Sequence, residues 1–210
     1  MNVLAIDPGK SNLGVWYGKV LEGADGRIMP KTFLMEKMDM GVKVPLYQGA
    51  VQTVESIFSA VPGGCFPDVA IVETQDPHNM PARVVACTVY GYLRGKGIDC
   101  TFSSSRLKND AIDLLAKQYD VTLVEKPSKE DQPDHKVRRR LMHSTNKKNS
   151  KAVVFKMLEE LEQHQLASKI ASVKDPQGRK KADDMTDALL LGIGLCIASK
   201  KKKRAVKIKH

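Results

Sequence analysis

Three short apolar runs in this chain are bounded by carboxylates. Val3-Leu4-Ala5-Ile6 ends in Asp7, and Val69-Ala70-Ile71-Val72 ends in Glu73. Asp183, Asp184 and Asp187 head the run Ala188-Leu189-Leu190-Leu191. Short, wholly apolar runs fit strands covered on both faces, as in a parallel sheet between helix layers. A charge left at the margin of such an element is costly unless it finds a partner. Several carboxylates meeting at one point call for a divalent cation, and hard oxygen ligands suit Mg²⁺ or Mn²⁺.

The charge of the chain points the same way. Its 210 residues carry a net charge of +10, with a sequence pI of about 9.4. Residues 135–151 hold seven Lys and Arg and no acid, and residues 200–210 hold seven more. The two stretches carry +14, leaving the rest at about −4. Concentrated basic charge beside an acidic metal site suggests chemistry on a polyanion such as DNA. The plainer explanation of such stretches is a solvated loop and a tail that aid solubility.

Other classes are disfavoured. The cysteines Cys65, Cys87, Cys100 and Cys196 lack metal spacing, and Cys87 and Cys196 read as small core residues of a reducing, intracellular compartment. Asp7 interrupts the first apolar run too early for a signal peptide. No apolar stretch reaches the roughly 18 residues of a membrane span. His135 and His143 have no zinc-type spacing and read as loop residues. Trp16, Tyr17, Tyr90 and Tyr92 fall within predicted elements and read as core or dimer residues.

Pattern and punctuation predict strands over 2–7, 13–20 and 28–35, a helix over 45–60 ended by Pro62-Gly63-Gly64, and a strand over 69–73. A helix over 80–94, a strand over 98–103 and a helix over 105–118 follow. Residues 124–150 read as irregular. Ser150 would cap a helix over 151–168, Asp175-Pro176-Gln177-Gly178 would turn, and a last helix would span 182–198. The expected fold is α/β, a mixed five-stranded sheet with helices on both faces. One domain would cover residues 1–198, with a basic, disordered tail over 199–210.

Taken singly, each acid has an ordinary explanation: Asp7 as a turn former, Glu73 as an exposed strand end, the aspartates as helix N-terminal acids. Together and in this order, Ile6-Asp7-Pro8-Gly9-x-x-x-x-Gly14, then Val72-Glu73-Thr74-Gln75, then Asp183-Asp184-x-x-Asp187-Ala188 resembles the Holliday-junction resolvases of the bacterial crossover-junction endodeoxyribonuclease (RuvC-like) class. Glu73-Thr74-Gln75 and the Asp183-Asp184 doublet look most like the poxvirus and large-DNA-virus branch. The resemblance implies a ribonuclease-H-like fold, a homodimer, and symmetric nicking of four-way DNA in recombination, repair or concatemer resolution. It implies no membrane and no small-molecule cofactor, and a setting in a virus-infected cell or a bacterial cytoplasm; the basic tail could serve as a nuclear signal.

On that basis two Mg²⁺ ions, or Mn²⁺ in their place, would sit about 3.5–4 Å apart. Asp7 would bridge them, with Glu73 and Asp184 or Asp187 completing the shells; Asp183 remains an alternative to Asp184. Lys148 or Lys151 would stabilise charge on the phosphate. Arg138, Arg139, Arg140, Lys147, Lys148 and Lys151 would contact DNA. The rivals are a non-specific or branched-DNA nuclease on the same fold, and a nucleotide-binding protein whose phosphate loop is Asp7-x-Gly9-x-x-x-x-Gly14.

Overall fold

The computed structural model describes residues 1–10, 12–40, 44–61, 66–174 and 183–207, with 201–207 as backbone alone. Five strands form one sheet in the order β3-β2-β1-β4-β5: β1 (Asn2–Pro8), β2 (Asn12–Glu22), β3 (Ile28–Asp39), β4 (Val69–Glu73) and β5 (Asp99–Ser103). β1 pairs antiparallel with β2, and β2 with β3; β1–β4 and β4–β5 are parallel. The helices are α1 (Leu46–Ala60), α2 (Met80–Gly95), α3 (Arg106–Gln118), α4 (His135–Glu160), α5 (His164–Ser172) and α6 (Asp183–Lys207).

Strand alternation divides the core in two. On β1, Leu4 and Ile6 face α1 and α2, where they join Ala50, Val54, Val85 and Val89. Val3 and Ala5 face the other way and pack with residues of α3, α4 and α6. The sheet is therefore covered on both faces, as its apolar runs require. Trp16 and Tyr17 are fully buried, as expected, and Trp16 donates from Nε1 to Thr32 Oγ1 at 3.0 Å.

Close approach of α6 to the sheet depends on glycine. A Cβ on Gly14 would lie 2.1 Å from the Asp184 carbonyl oxygen, and one on Gly192 2.4 Å from the Trp16 ring. Gly14 thus serves helix–strand packing and sits opposite Asp7 in the β1–β2 ladder.

Three expectations need correction. Residues 135–150 are helical, so His135 and His143 are helix and not loop residues: α4 begins at His135, because the Asp134 side chain accepts from the backbone N–H of Lys136 and Val137 at 2.8 and 3.1 Å. Ser150 is therefore a buried mid-helix residue, and α4 ends at Glu160, with Glu162 in the left-handed region. The backbone of α6 continues from residue 198 to Lys207, where a disordered tail is expected; Lys, Arg and Ala sustain a helix, and no Gly or Pro stops it. Cys87 is exposed, because α2 turns it away from the face of Val85 and Val89; Cys196 is buried as expected. Cys65, the turns at Pro62-Gly63-Gly64 and Asp175-Pro176-Gln177-Gly178, and the side chains of residues 201–210 lie outside the described residues.

Candidate active site

The alternation that sorts the core also aims the first two acids. Asp7 follows Val3 and Ala5 on the α6 side of β1, and Glu73 follows Val69 and Ile71 on the same side of β4. Ile6 stands opposite Val72 in the parallel pair, so Asp7 and Glu73 end neighbouring strands side by side. Carboxyl ends of parallel strands are where open α/β sheets place ligands. The first turn of α6 closes this end with Asp184 and Asp187. All four line one cleft of about 380 Å³.

The bonds within the cleft are specific. Asn12 donates from Nδ2 to Asp184 Oδ2 at 2.7 Å, and its own carbonyl accepts from Gly9 N at 2.8 Å. Gln75 Nε2 lies 3.5 Å from Asp7 Oδ1. Lys108, from the first turns of α3, reaches between two acids: its Nζ lies 2.8 Å from Glu73 Oε2 and 2.9 Å from Asp187 Oδ2.

Electrostatics match this geometry. Burial, reinforced by the Glu73 carboxylate, holds the Asp7 carboxyl well above the usual carboxylate range, with Lys108 opposing. Burial raises Asp187 as well, again against Lys108. Burial works against the Lys108 charge, but Asp7, Asp187 and Glu73 outweigh it and hold the ammonium above an ordinary lysine.

Asp183 lines the same cleft, but its carboxylate is engaged by lysines of α4. Its carboxylate takes Lys147 Nζ at 2.5 Å and Lys151 Nζ at 3.2 Å, joining α4 to the start of α6. Burial opposes its ionisation, yet the Lys147 bond and the two lysine charges bring its pKa down to about 2.

The structure thus brings Asp7, Glu73, Asp183, Asp184, Asp187 and Lys147 together at one cleft, with Lys151 at its edge through Asp183. Lys148 is exposed and does not line it. Arg139 pairs with Asp76, which borders the cleft, at 2.7 Å; Arg140 lines an adjoining hollow. Arg138 turns back to the Gln132 carbonyl at 3.2 Å. Sequence reasoning missed Lys108, Asn12 and Gln75. A lysine soon after the strand that neighbours Glu73 was the available signal for Lys108.

The oxygen donors have the chemistry that Mg²⁺ or Mn²⁺ prefers, and beside burial the neighbouring carboxylates raise Asp7. As the side chains stand, no three His, Cys, Asp or Glu among the described residues close on a single ion position; Lys108 stands between two of the acids. A larger hollow of about 700 Å³, between β3 and α5, shares no residue with the acidic cleft.

No protein-family model and no curated protein matches the chain. Among solved structures it is similar to Thermus thermophilus RuvC in complex with a Holliday junction substrate, with a TM-score of 0.51, 14% identity and 96% of each chain covered. It is also similar to the yeast mitochondrial Holliday junction resolvase Ydc2, with a TM-score of 0.50, 13% identity, and 91% of this chain and 77% of that one covered. At such identity the likeness is one of fold. The chain has the ribonuclease-H-like architecture, a mixed five-stranded sheet between helix layers. No helix among the described residues is long and apolar enough to cross a membrane.

Proposed function

We propose that this protein is an endonuclease that nicks four-way DNA junctions by metal-assisted phosphodiester hydrolysis. The observation that carries this is the gathering of Asp7, Glu73, Asp184 and Asp187 at the carboxyl ends of two parallel strands, beside a helix rich in basic residues. The junction as substrate is supported by the fold shared with the two resolvases. The resemblance to the poxvirus branch rests on Glu73-Thr74-Gln75 and the Asp183-Asp184 doublet alone.

Asp7, between Glu73 and the α6 acids, would hold both of two Mg²⁺ ions, with Glu73, Asp184 and Asp187 completing their shells. Bound there, the ions supply an activated water and neutralise charge on the leaving 3′ oxygen. The carboxylates orient the water and accept its proton as the new P–O bond forms and the P–O3′ bond breaks. Lys108 keeps the acids from repelling one another, and its ammonium would add positive charge beside a bound phosphate. Lys147 and Lys151, held by Asp183, present positive charge at the rim.

A four-way junction carries near two-fold symmetry, which a homodimer would match. Support comes from α2, whose outward stripe Met80, Val84, Cys87 and Gly91 is exposed and largely apolar, at helical spacing. A Cβ on Gly91 would meet nothing, so a second helix could approach closely there. The domain over residues 1–198 would carry the chemistry and the basic residues 199–210 would add attraction for DNA. Incubation of the protein with labelled four-way and linear DNA, with and without Mg²⁺, tests this. Symmetric nicks in the junction alone are expected; equal attack on linear duplex would remove the junction specificity.

A further inference from the structure

Beside the acidic cleft lies a second hollow of about 410 Å³, lined by Lys136, Arg139, Arg140 and His143 of α4. The two share His143. At about 100° per residue, Lys136, Arg140, His143, Lys147 and Lys151 fall on one narrow face of α4, with Arg139 at its border. Arg138 and Lys148 fall well outside it, in accord with their placement away from both hollows. This face is a continuous basic stripe, and its Lys147 end enters the acidic cleft. Its free end projects beyond the core: the buried apolar residues of α4 begin at Val153.

Resting on the nuclease reading, we infer that this face is a track for the phosphates of the strand being cut, and that the hollow at Lys136, Arg139, Arg140 and His143 holds a phosphate away from the scissile one. The charge admits an anion and excludes a cation. The offset suits a chain of anions: from His143 to Lys136 is seven residues, about 10 Å of helix, while one strand of a duplex advances about 3.4 Å per phosphate. With α4 laid along the duplex axis, the held phosphate is two or three nucleotides from the nick. Arg139 is fixed by Asp76 on the β4–α2 connection, which ties the track to the loop that borders the cleft. His143 sits where the two hollows meet and can donate a hydrogen bond to the strand.

The test uses four-way DNA in which single phosphates around the nick are replaced, one at a time, by neutral methylphosphonate. Binding is read by fluorescence anisotropy and cleavage separately. In the wild-type protein, one replacement two or three nucleotides to one side of the nick should weaken binding about tenfold. In a Lys136→Ala/Arg140→Ala variant that penalty should vanish, and the slope of log K against log[salt] should fall by about two. Both side chains are exposed; Arg140→Gln alone, with a smaller version of the same loss, is the second variant. A penalty that persists undiminished in both variants, or is spread evenly over all positions, overturns the track. A wild-type protein that binds but never cuts overturns the nuclease reading, while the binding map still decides the track.

Discussion

Asn12 Nδ2 donates to Asp184 Oδ2 across 2.7 Å, tying the start of β2 to the second residue of α6. Asn12 is itself buried, and its carbonyl closes the turn after Asp7 by accepting from Gly9 N. One side chain thus sets the Asp184 carboxylate relative to Asp7. Asn12 is a positioning residue, and groups of this kind typically matter by 10- to 100-fold in metal affinity or activity. Asn12→Ala should raise the Mg²⁺ concentration for half-maximal nicking by about tenfold or more, with kcat at saturating Mg²⁺ reduced far less. An unchanged Mg²⁺ titration would refute this.

Lys108 should behave as an internal counter-ion. With the lysine and its two carboxylates at 12%, 10% and 18% side-chain exposure, its loss leaves buried charges unpaired. Removing one partner of such a pair costs about 3–5 kcal/mol. Lys108→Met should therefore melt well below the wild type without metal, and Mg²⁺ should raise its Tm more than it raises that of the wild type. Thermal melts with EDTA and with Mg²⁺ would show it. Equal Mg²⁺ shifts would separate Lys108 from the metal.

Asp7→Asn should exchange function for stability. The folded protein raises the Asp7 pKa, so its ionised form carries a cost at neutral pH that acidification relieves. The variant should abolish nicking, bind junction DNA at least as tightly, and raise the metal-free Tm. About 1 kcal/mol would correspond to about 2–4 °C. In the wild type, metal-free stability should rise as the pH falls from neutral through the raised pKa values of Asp7 and Asp187. It should turn down below about 4, as Asp183, with its pKa lowered to about 2, begins to protonate and releases Lys147. A Tm that falls steadily from pH 7 downward would contradict this ordering.

The aspartate doublet should separate by role. Asp184→Asn should remove nicking and spare the fold. Asp183→Asn should lose about 1.5–3 kcal/mol of stability from its charged hydrogen bonds, while retaining metal-dependent nicking at reduced DNA affinity. Paired nicking and melting assays decide it; inactivity of Asp183→Asn at saturating DNA would make Asp183 a ligand.

The α2 stripe should carry the dimer. Sedimentation should give about twice the 23.2 kDa chain mass, and Val84→Lys should yield monomers that still fold. Monomeric wild-type protein at micromolar concentration would count against it.

The strands bearing Asp7 and Glu73 were legible because a buried strand must be apolar on both faces, which makes a terminal acid conspicuous. The α6 acids were legible by spacing. The choice between Asp183 and Asp184 was not, since it depends on which lysines α4 delivers. α4 itself was cut short in the sequence reading: its first half buries little, so no apolar period marks it, and only the Asp134 cap signals its start. Of the lysines that the resemblance put forward, helical phase turns Lys147 toward the cleft and leaves Lys148 exposed. Lys108 escaped notice because its one signal, a place soon after the strand beside Glu73, has no periodicity; its meaning comes from the partners that tertiary structure brings to it.

The missing side chain at Gly14 has a consequence for how such a site can change. A Cβ there would press 2.1 Å from the Asp184 carbonyl oxygen, so any other residue would lever the head of α6 outward by more than an ångström. That movement would carry Asp184 and Asp187 together away from Asp7 and Glu73. Displacements of this size can cost about 100-fold in rate. The gap between the two pairs of acids is therefore gauged by a backbone clearance at a position that bears no functional group, and a substitution there would silence the site while leaving every acid in the sequence intact.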